Sequence, residues 1–254
     1  MRAMHLREGL ASPAQVPLPA QLSLAGRVHW KLRRTFREAL PALIPGIHQL
    51  SAKTAFNRYP QIFARAARIA PNARRILSFG CSTGEECATL KMYFPRAEII
   101  GTDVNPLSLL KARWRCRSSK SINFVYANDP VLTASGPFDV ICCLTVLRDT
   151  RLDTETSIRE TYPFERFDER VTFLNSLLRP GGLLVFHGNM YRFRDSSVVN
   201  EYEVVPLTHT PIGKNITFAR DGRNDGVAYM DALFSKTRRD LRAGAAARTL
   251  AQTL

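Results

Sequence analysis

At 254 residues, of which 45% are hydrophobic, the chain can bury one full core, and one α/β domain with a short appendage is expected. No apolar run approaches the roughly 20 residues of a bilayer span, and no apolar signal core follows Arg2, His5 and Arg7, so neither a membrane span nor secretion is expected. The net charge of +14 opens a nucleic-acid reading, but it comes from 29 Arg against 7 Lys spread along the whole chain, and the clusters Lys31–Arg37, Arg113–Lys120 and Arg238–Arg242 accompany no recognised binding motif, which favours a solvated basic surface.

Residues 1–21 hold Pro13, Pro17 and Pro19 among small residues and read as disordered. From Leu22 to Leu43, Val28, Leu32, Phe36, Ala39 and Leu40 recur at helical spacing, with Arg27, Lys31, Arg34 and Arg37 on the remaining surface and Pro45-Gly46 as the stop. This helix opens an amino-terminal helical cap over 22–70, either simply packed on the domain or forming a basic lip for an acidic substrate. A second helix, Tyr59–Ala70, leads through Pro71-Asn72 into a regular alternation over 71–238. Strand Arg75–Phe79 precedes helix Glu85–Tyr93, and strand Glu98–Thr102 precedes helix Pro106–Arg115. Strands at Asn123–Ala127 and Asp139–Leu144, helix Phe164–Leu178 and strand Leu183–His187 follow. Strands alternating with helices predict a mostly parallel sheet covered on both faces.

Beyond Gly188 the texture changes. Glu203–Leu207, Ile216–Ala219 and Val227–Phe234 read as strands, with Asp221-Gly222 and Asp225-Gly226 as turns between the last two. A parallel sheet finished by an antiparallel hairpin gives a Rossmann-like, seven-stranded class I layout rather than that of a dehydrogenase. The tail 239–254 is rich in Ala and Arg and reads as a terminal helix or a frayed end.

The chemistry gathers after the first strand. Phe79-Gly80-Cys81-Ser82-Thr83-Gly84-Glu85-Glu86 is a glycine-rich turn with Ser82 at the middle glycine. Gly80 permits the tight turn and Gly84 the close approach of ligand and helix. Glu85 and Glu86 gain from the helix macrodipole but would repel a pyrophosphate placed there. NAD and ATP fit poorly; S-adenosylmethionine, which carries an ammonium and a sulfonium and no phosphate, fits well. Asp103, at the end of the second strand, is placed to accept from both ribose hydroxyls, with Val104 beside it. Asn128-Asp129, after the third strand, stands where the adenine edge lies or else forms an ordinary turn before Pro130. Cys81, Cys87, Cys116, Cys142 and Cys143 show no CxxC spacing and are odd in number; no metal site is expected, and a reducing, cytoplasmic compartment fits.

At this level of detail the chain resembles the chemotaxis-receptor glutamate methyltransferase (CheR-like) family. The resemblance covers roughly residues 50–190. It rests on Gly80–Glu86, Gly101-Thr102-Asp103, Gly136-Pro137-Phe138-Asp139, Leu178-Arg179-Pro180-Gly181-Gly182 and Thr54-Ala55-Phe56-Asn57-Arg58. It implies that Thr54 and Arg58 reach the methionine carboxylate of S-adenosylmethionine, and that Glu86, or alternatively Glu85, takes the ammonium. Asp103 would hold the ribose, and Asn128 and Asp129 would face the adenine. Where that family has Arg-Asn and then Tyr beside the methyl acceptor, this chain has Leu144, Thr145 and Asp149; where it has His-Ser-Glu, the chain has His187-Gly188-Asn189. Cofactor residues are retained and acceptor residues are not. The expected activity is therefore methyl transfer to a small molecule or a protein side chain, with Asp149 and His187, and after them Tyr191, as candidates near the acceptor. Efficient methylation of receptor glutamates is not expected, because Asp149 would set a second negative charge near an anionic substrate. The rival readings are a non-catalytic S-adenosylmethionine-binding protein and an RNA methyltransferase using the Arg-rich surface.

Overall fold

Aliphatic pentamers and heptamers that end at glycine or at a turn build the centre of the molecule. In the computed structural model, β1 (Arg75–Phe79), β2 (Glu98–Asp103), β3 (Ile122–Tyr126), β4 (Phe138–Leu144) and β5 (Leu178–His187) are parallel neighbours. The structure describes Ser23, residues 54–207 and residues 213–238. The expected helix over Leu22–Leu43, the segment 1–21, the rest of the cap before Thr54 and the tail 239–254 lie outside the described residues.

β4 is buried along its whole length, as a central strand covered on both faces requires. Its side chains alternate with period two: Val140, Cys142 and Leu144 pack into one apolar layer, Ile141 and Cys143 into the other. Leu183 and Val185 of β5 join the first layer, and Leu184 and Phe186 the second. The first layer is closed by α1 (Pro60–Ile69) through Ile62, Phe63 and Ala66, the second by α5 (Phe164–Leu177) through Phe167, Val171 and Leu174. α1 begins with a proline at its first position, where the missing N–H has no intrahelical partner anyway. α2 (Glu85–Tyr93) and α3 (Pro106–Arg115) make the β1–β2 and β2–β3 crossovers. A short α4 (Asp129–Ser135), which periodicity alone did not reveal, connects β3 to β4.

With β6 (Tyr202–Val204) and β9 (Leu233–Lys236) added, the sheet order is β3-β2-β1-β4-β5-β9-β6. β2 and β4 flank β1 on opposite sides, so the crevice at the carboxyl ends of β1 and β4 is a topological switch point, where open α/β sheets bind ligands. The carboxy-terminal part differs from its expected outline. The expected strand Val227–Phe234 is interrupted at 229–232 and contributes to two elements, β8 (Asn224–Ala228) and β9 (Leu233–Lys236). β8 pairs with β7 (Asn215–Phe218) in a separate two-stranded sheet, so the hairpin forms outside the main sheet. β9 runs antiparallel between β5 and β6 (Tyr202–Val204). A short run of alternating residues gives no sign of which sheet it joins.

Candidate functional site

The turn after β1 takes three positive φ values, at Gly80 (74°), Ser82 (50°) and Gly84 (89°). It is pinned by Cys81 N–H to the Thr102 carbonyl (2.8 Å) and by Gly84 N–H to the Cys81 carbonyl (3.0 Å). Gly84 is needed twice over: its φ disfavours a side chain, and a Cβ would stand 3.0 Å from Ala112 Cβ and 3.1 Å from Ala112 Cα. At the end of β2, the Asp103 carboxylate accepts from Ser82 N–H and Asn105 N–H, both at 2.8 Å. Burial raises its carboxyl above the usual range, although both hydrogen bonds oppose the shift.

The two acids that open α2 part company. Glu85 pairs with Arg115 at 2.9 Å and accepts from Thr83 Oγ1 at 2.7 Å. Glu86 turns inward and accepts from Ser78 Oγ at 2.7 Å. Burial pushes Glu86 up to about 7, against the Ser78 hydrogen bond and the positive charge of Arg58. Arg58 is exposed, yet its field reaches both Glu86 and His187, which brings this residue to the cleft. Its guanidinium lies 5.1 Å over the Tyr59 ring. Thr54 and Val104 are half-buried, and Cys81 is fully buried.

The opposite wall is made where β4 and β5 end in register, Leu144 against His187. Thr145 follows with φ 60°, donating its N–H to the His187 carbonyl at 2.7 Å; its Oγ1 is 3.0 Å from Tyr59 Oη. Val146 packs against the cofactor turn so closely that a Cβ on Gly80 would lie 2.6 Å from its methyl groups. Asn189, fully buried, ties the two strand exits together. Its Oδ1 accepts from Val146 N–H (3.1 Å) and Leu147 N–H (2.9 Å), and its Nδ2 donates to the Cys143 carbonyl (3.2 Å). His187 is 2% exposed, with the Tyr59 ring edge-on at 5.7 Å. Burial, then the charges of Arg58 and Arg148, lower its pKa to about 4. Its Nε2 lies 3.3 Å from Asn215 Nδ2.

Four of the candidates have partners of their own. The Asp149 carboxylate caps the 3₁₀ turn Thr150–Leu152 through Arg151 N–H (3.0 Å) and pairs with the Arg151 guanidinium at 2.5 Å. An acid so paired is not an uncompensated charge, and the electrostatic argument against an anionic acceptor loses its footing. Asn128 is exposed and caps α4 by accepting from Val131 N–H, and Asp129 pairs with Arg170 at 2.6 Å. Tyr191 is a core residue whose hydroxyl donates to the Tyr162 carbonyl at 2.6 Å. Tyr59, Thr145, Asn189 and Asn215 were not among the candidates; their contacts span 28 to 86 residues, and no local pattern announces them. All five cysteines are buried thiols, and among the described residues no cluster of His, Cys, Asp and Glu could hold a metal ion. No helix among them is long and apolar enough to cross a membrane.

The sheet order, with β9 antiparallel between β5 and β6, is joined by a match of residues 77–184 to the family model described as a methyltransferase domain. The fold is the Rossmann-like class I layout, and the matched residues are similar to a methyltransferase domain. Over 125 residues, 47% of its length, the chain is 32% identical to the ribosomal RNA small subunit methyltransferase C of Hahella chejuensis. It spans only 32% of that relative. Among solved structures it is similar to TehB from Haemophilus influenzae (12% identity, TM-score 0.46, 69% of this chain and 61% of that one). It is also similar to S-adenosylmethionine-bound CalS10, an amino pentose methyltransferase from Micromonospora echinaspora (17% identity, TM-score 0.41, 77% and 83%).

Proposed function

We propose that this chain is a methyltransferase that uses S-adenosylmethionine, with the cofactor seated across the carboxyl ends of β1, β2 and β4. The observation that carries this reading is the pair of half-buried carboxylates, Glu86 and Asp103, around a glycine turn. That turn suits a cationic amino acid and a ribose, and repels a pyrophosphate. Glu86 takes the ammonium, because Glu85 is engaged by Arg115. Arg58, with Thr54, holds the methionine carboxylate through the planar guanidinium fork. Asp103 accepts from the ribose hydroxyls, while Ser82, Val104 and Leu144 line the cofactor, and the adenine passes Asn128.

The cofactor supplies the activated methyl group, and the protein aligns two reactants in a cleft with restricted water. Glu86 must be ionised to pair with the ammonium, so affinity rises as pH is raised through about 7. Titration calorimetry with S-adenosylhomocysteine and with NAD tests the reading. Binding of the first with none of the second supports it, and the reverse order overturns it.

For the acceptor, a small molecule or a protein side chain fits the walled cleft between β4, β5 and the β7–β8 hairpin. The finer likeness to the CheR-like family rests on the Gly80–Glu86 turn and stops at Leu144 and Thr145. An RNA acceptor is the second reading, favoured by the identity to an rRNA methyltransferase and by the Arg-rich composition. Salt-sensitive binding of a short RNA is its test. A non-catalytic S-adenosylmethionine-binding protein is the third; absence of turnover over a broad acceptor panel would favour it. The five thiols fit a reducing cytoplasm.

A further inference from the structure

The Asn215 amide is oriented by a group that can only accept. Its Nδ2 lies 3.1 Å from the Gly213 carbonyl oxygen and 3.3 Å from His187 Nε2. Turned over, the amide would set its own oxygen against the Gly213 oxygen, so the NH2 group faces both partners and its two hydrogens serve one each. Nε2 of His187 therefore receives a hydrogen bond, and a neutral imidazole that accepts at Nε2 carries its proton at Nδ1. Nδ1 is buried and has no hydrogen-bond partner among the described residues. A buried donor left unmatched costs free energy that a ligand oxygen would recover.

The surroundings narrow the ligand chemistry. His187 closes β5 beside the end of β4, at the switch-point crevice, with the Tyr59 ring against it. The positive charges of Arg58 and Arg148, the latter paired with Asp153 at 2.8 Å, both disfavour a second proton on the imidazole and keep it neutral. Asn215 is itself held in place. Its hairpin is tied to the domain by Phe218 N–H to the Met190 carbonyl (2.9 Å), Ile158 N–H to the Gly222 carbonyl (2.8 Å) and Arg148 to the Ile216 carbonyl (3.3 Å).

Building on the methyltransferase reading, we propose that His187 donates its Nδ1–H to a carboxylate or carbonyl oxygen of a bound ligand, and that Asn215 is the positioning residue that sets this tautomer. The imidazole then orients rather than deprotonates: one nitrogen already carries its proton and the other is occupied by Asn215. Two ligands can bring such an oxygen, the methionine end of the cofactor and the methyl acceptor.

Long-range proton–nitrogen NMR on protein labelled at histidine nitrogen, with His187→Phe for assignment, reads the tautomer directly. The expected result is a neutral Nδ1–H ring at pH 7 in the full-length protein, and loss of that preference in Asn215→Ala. A ring protonated at Nε2, or at both nitrogens, overturns the proposal. The ligand is then sought with three probes. A shift of His187 Nδ1 with S-adenosylhomocysteine and not with 5′-methylthioadenosine, which lacks the amino-acid end, assigns the oxygen to the cofactor. His187→Phe should then weaken S-adenosylhomocysteine about tenfold, as loss of one such hydrogen bond does. A shift only when acetate is added to the S-adenosylhomocysteine complex, with no response to methylammonium, assigns the oxygen to the acceptor. Indifference of His187 to all of these probes overturns the ligand role. Failure of S-adenosylhomocysteine to bind at all, read by calorimetry on the same samples, would instead sink the methyltransferase reading and leave the tautomer result standing.

Discussion

The two walls of the cleft are built in opposite ways. The β1–β2 wall is local: Gly80, Ser82, Gly84 and Glu86 fall within seven residues, and Asp103 joins them through one backbone hydrogen bond from Ser82. The β4–β5 wall is assembled from afar. Thr145 meets Tyr59 across 86 positions, Asn189 reaches back 42 to 46 positions to the end of β4, and His187 meets Asn215 across 28. On the proposed reading, a cofactor common to many reactions is held by this compact motif. The wall proposed to meet the acceptor is a set of long-range hydrogen bonds, and it touches the motif where Val146 packs against Gly80.

The sharpest way to break this contrast is at Asn189. Asn189→Leu leaves the Val146 and Leu147 N–H groups without their acceptor, at about 1–3 kcal/mol each by the general rule, and takes one donor from the Cys143 carbonyl, which also belongs to the β4–β5 ladder. A loss of about 4 kcal/mol in urea unfolding is expected. A loss below about 1 kcal/mol would mean that the distal wall is not held by these bonds.

Acid titration separates the walls next. Glu86 has a raised pKa in the fold, so the folded protein keeps a proton that the unfolded chain releases between 4.5 and about 7, and stability falls as pH rises through that range. His187 has a lowered pKa, so the unfolded chain takes a proton that the fold refuses between 6.5 and about 4, and stability falls as pH drops through that range. Each contribution is on the order of 3 kcal/mol, and in the wild type the two largely offset. Glu86→Gln should therefore lose stability on acidification from pH 6.5 to 4.5, while His187→Phe should lose it on raising the pH from 4.5 to 7. Parallel urea-midpoint profiles for both variants and the wild type would contradict this.

Asp103→Ala should weaken S-adenosylhomocysteine by roughly 1–3 kcal/mol, about ten- to a hundredfold, because the ribose hydroxyls lose their acceptor. The fold should hold, since Asp103 is at the end of its strand. Unchanged affinity in a folded variant would remove Asp103 from the site. The smallest effect is expected from Arg58→Lys, a few-fold weaker binding by calorimetry, since the cation stays and only the guanidinium fork is lost. A variant as tight as wild type would leave Arg58 outside the cofactor contacts.

The same contrast explains what could be read in advance. Strands β1 to β5 and the helices α2, α3 and α5 follow from hydrophobic runs and punctuation; α4 was not foreseen, and β5 begins at Leu178, five residues before the expected Leu183. Gly101, read at first only as part of a matching motif, has a packing reason: a Cβ there would stand 2.7 Å from Cys87 Sγ and 2.8 Å from the Phe124 ring. The pairing of Asp149 was not foreseen, because a carboxylate near a strand end carries no sign that its own neighbour, Arg151, will claim it. The 227–234 segment was misread because apolar residues specify burial, and the two sheets offer burial equally. Asn215 was invisible, since its meaning depends on a histidine on a different element.

β9 has a consequence for the order of events on the ribosome. It is the last strand of the described chain to be synthesised, yet it is the partner of both β5 and β6. Until residues 233–236 have emerged, β5 presents a bare row of backbone donors and acceptors beside the cleft, and such edges pair readily with other chains. At about 5–20 residues per second, the roughly 50 residues between β5 and β9 keep that edge open for several seconds in every round of translation. The nascent chain is thus at its stickiest when the cofactor turn is complete and the sheet is not.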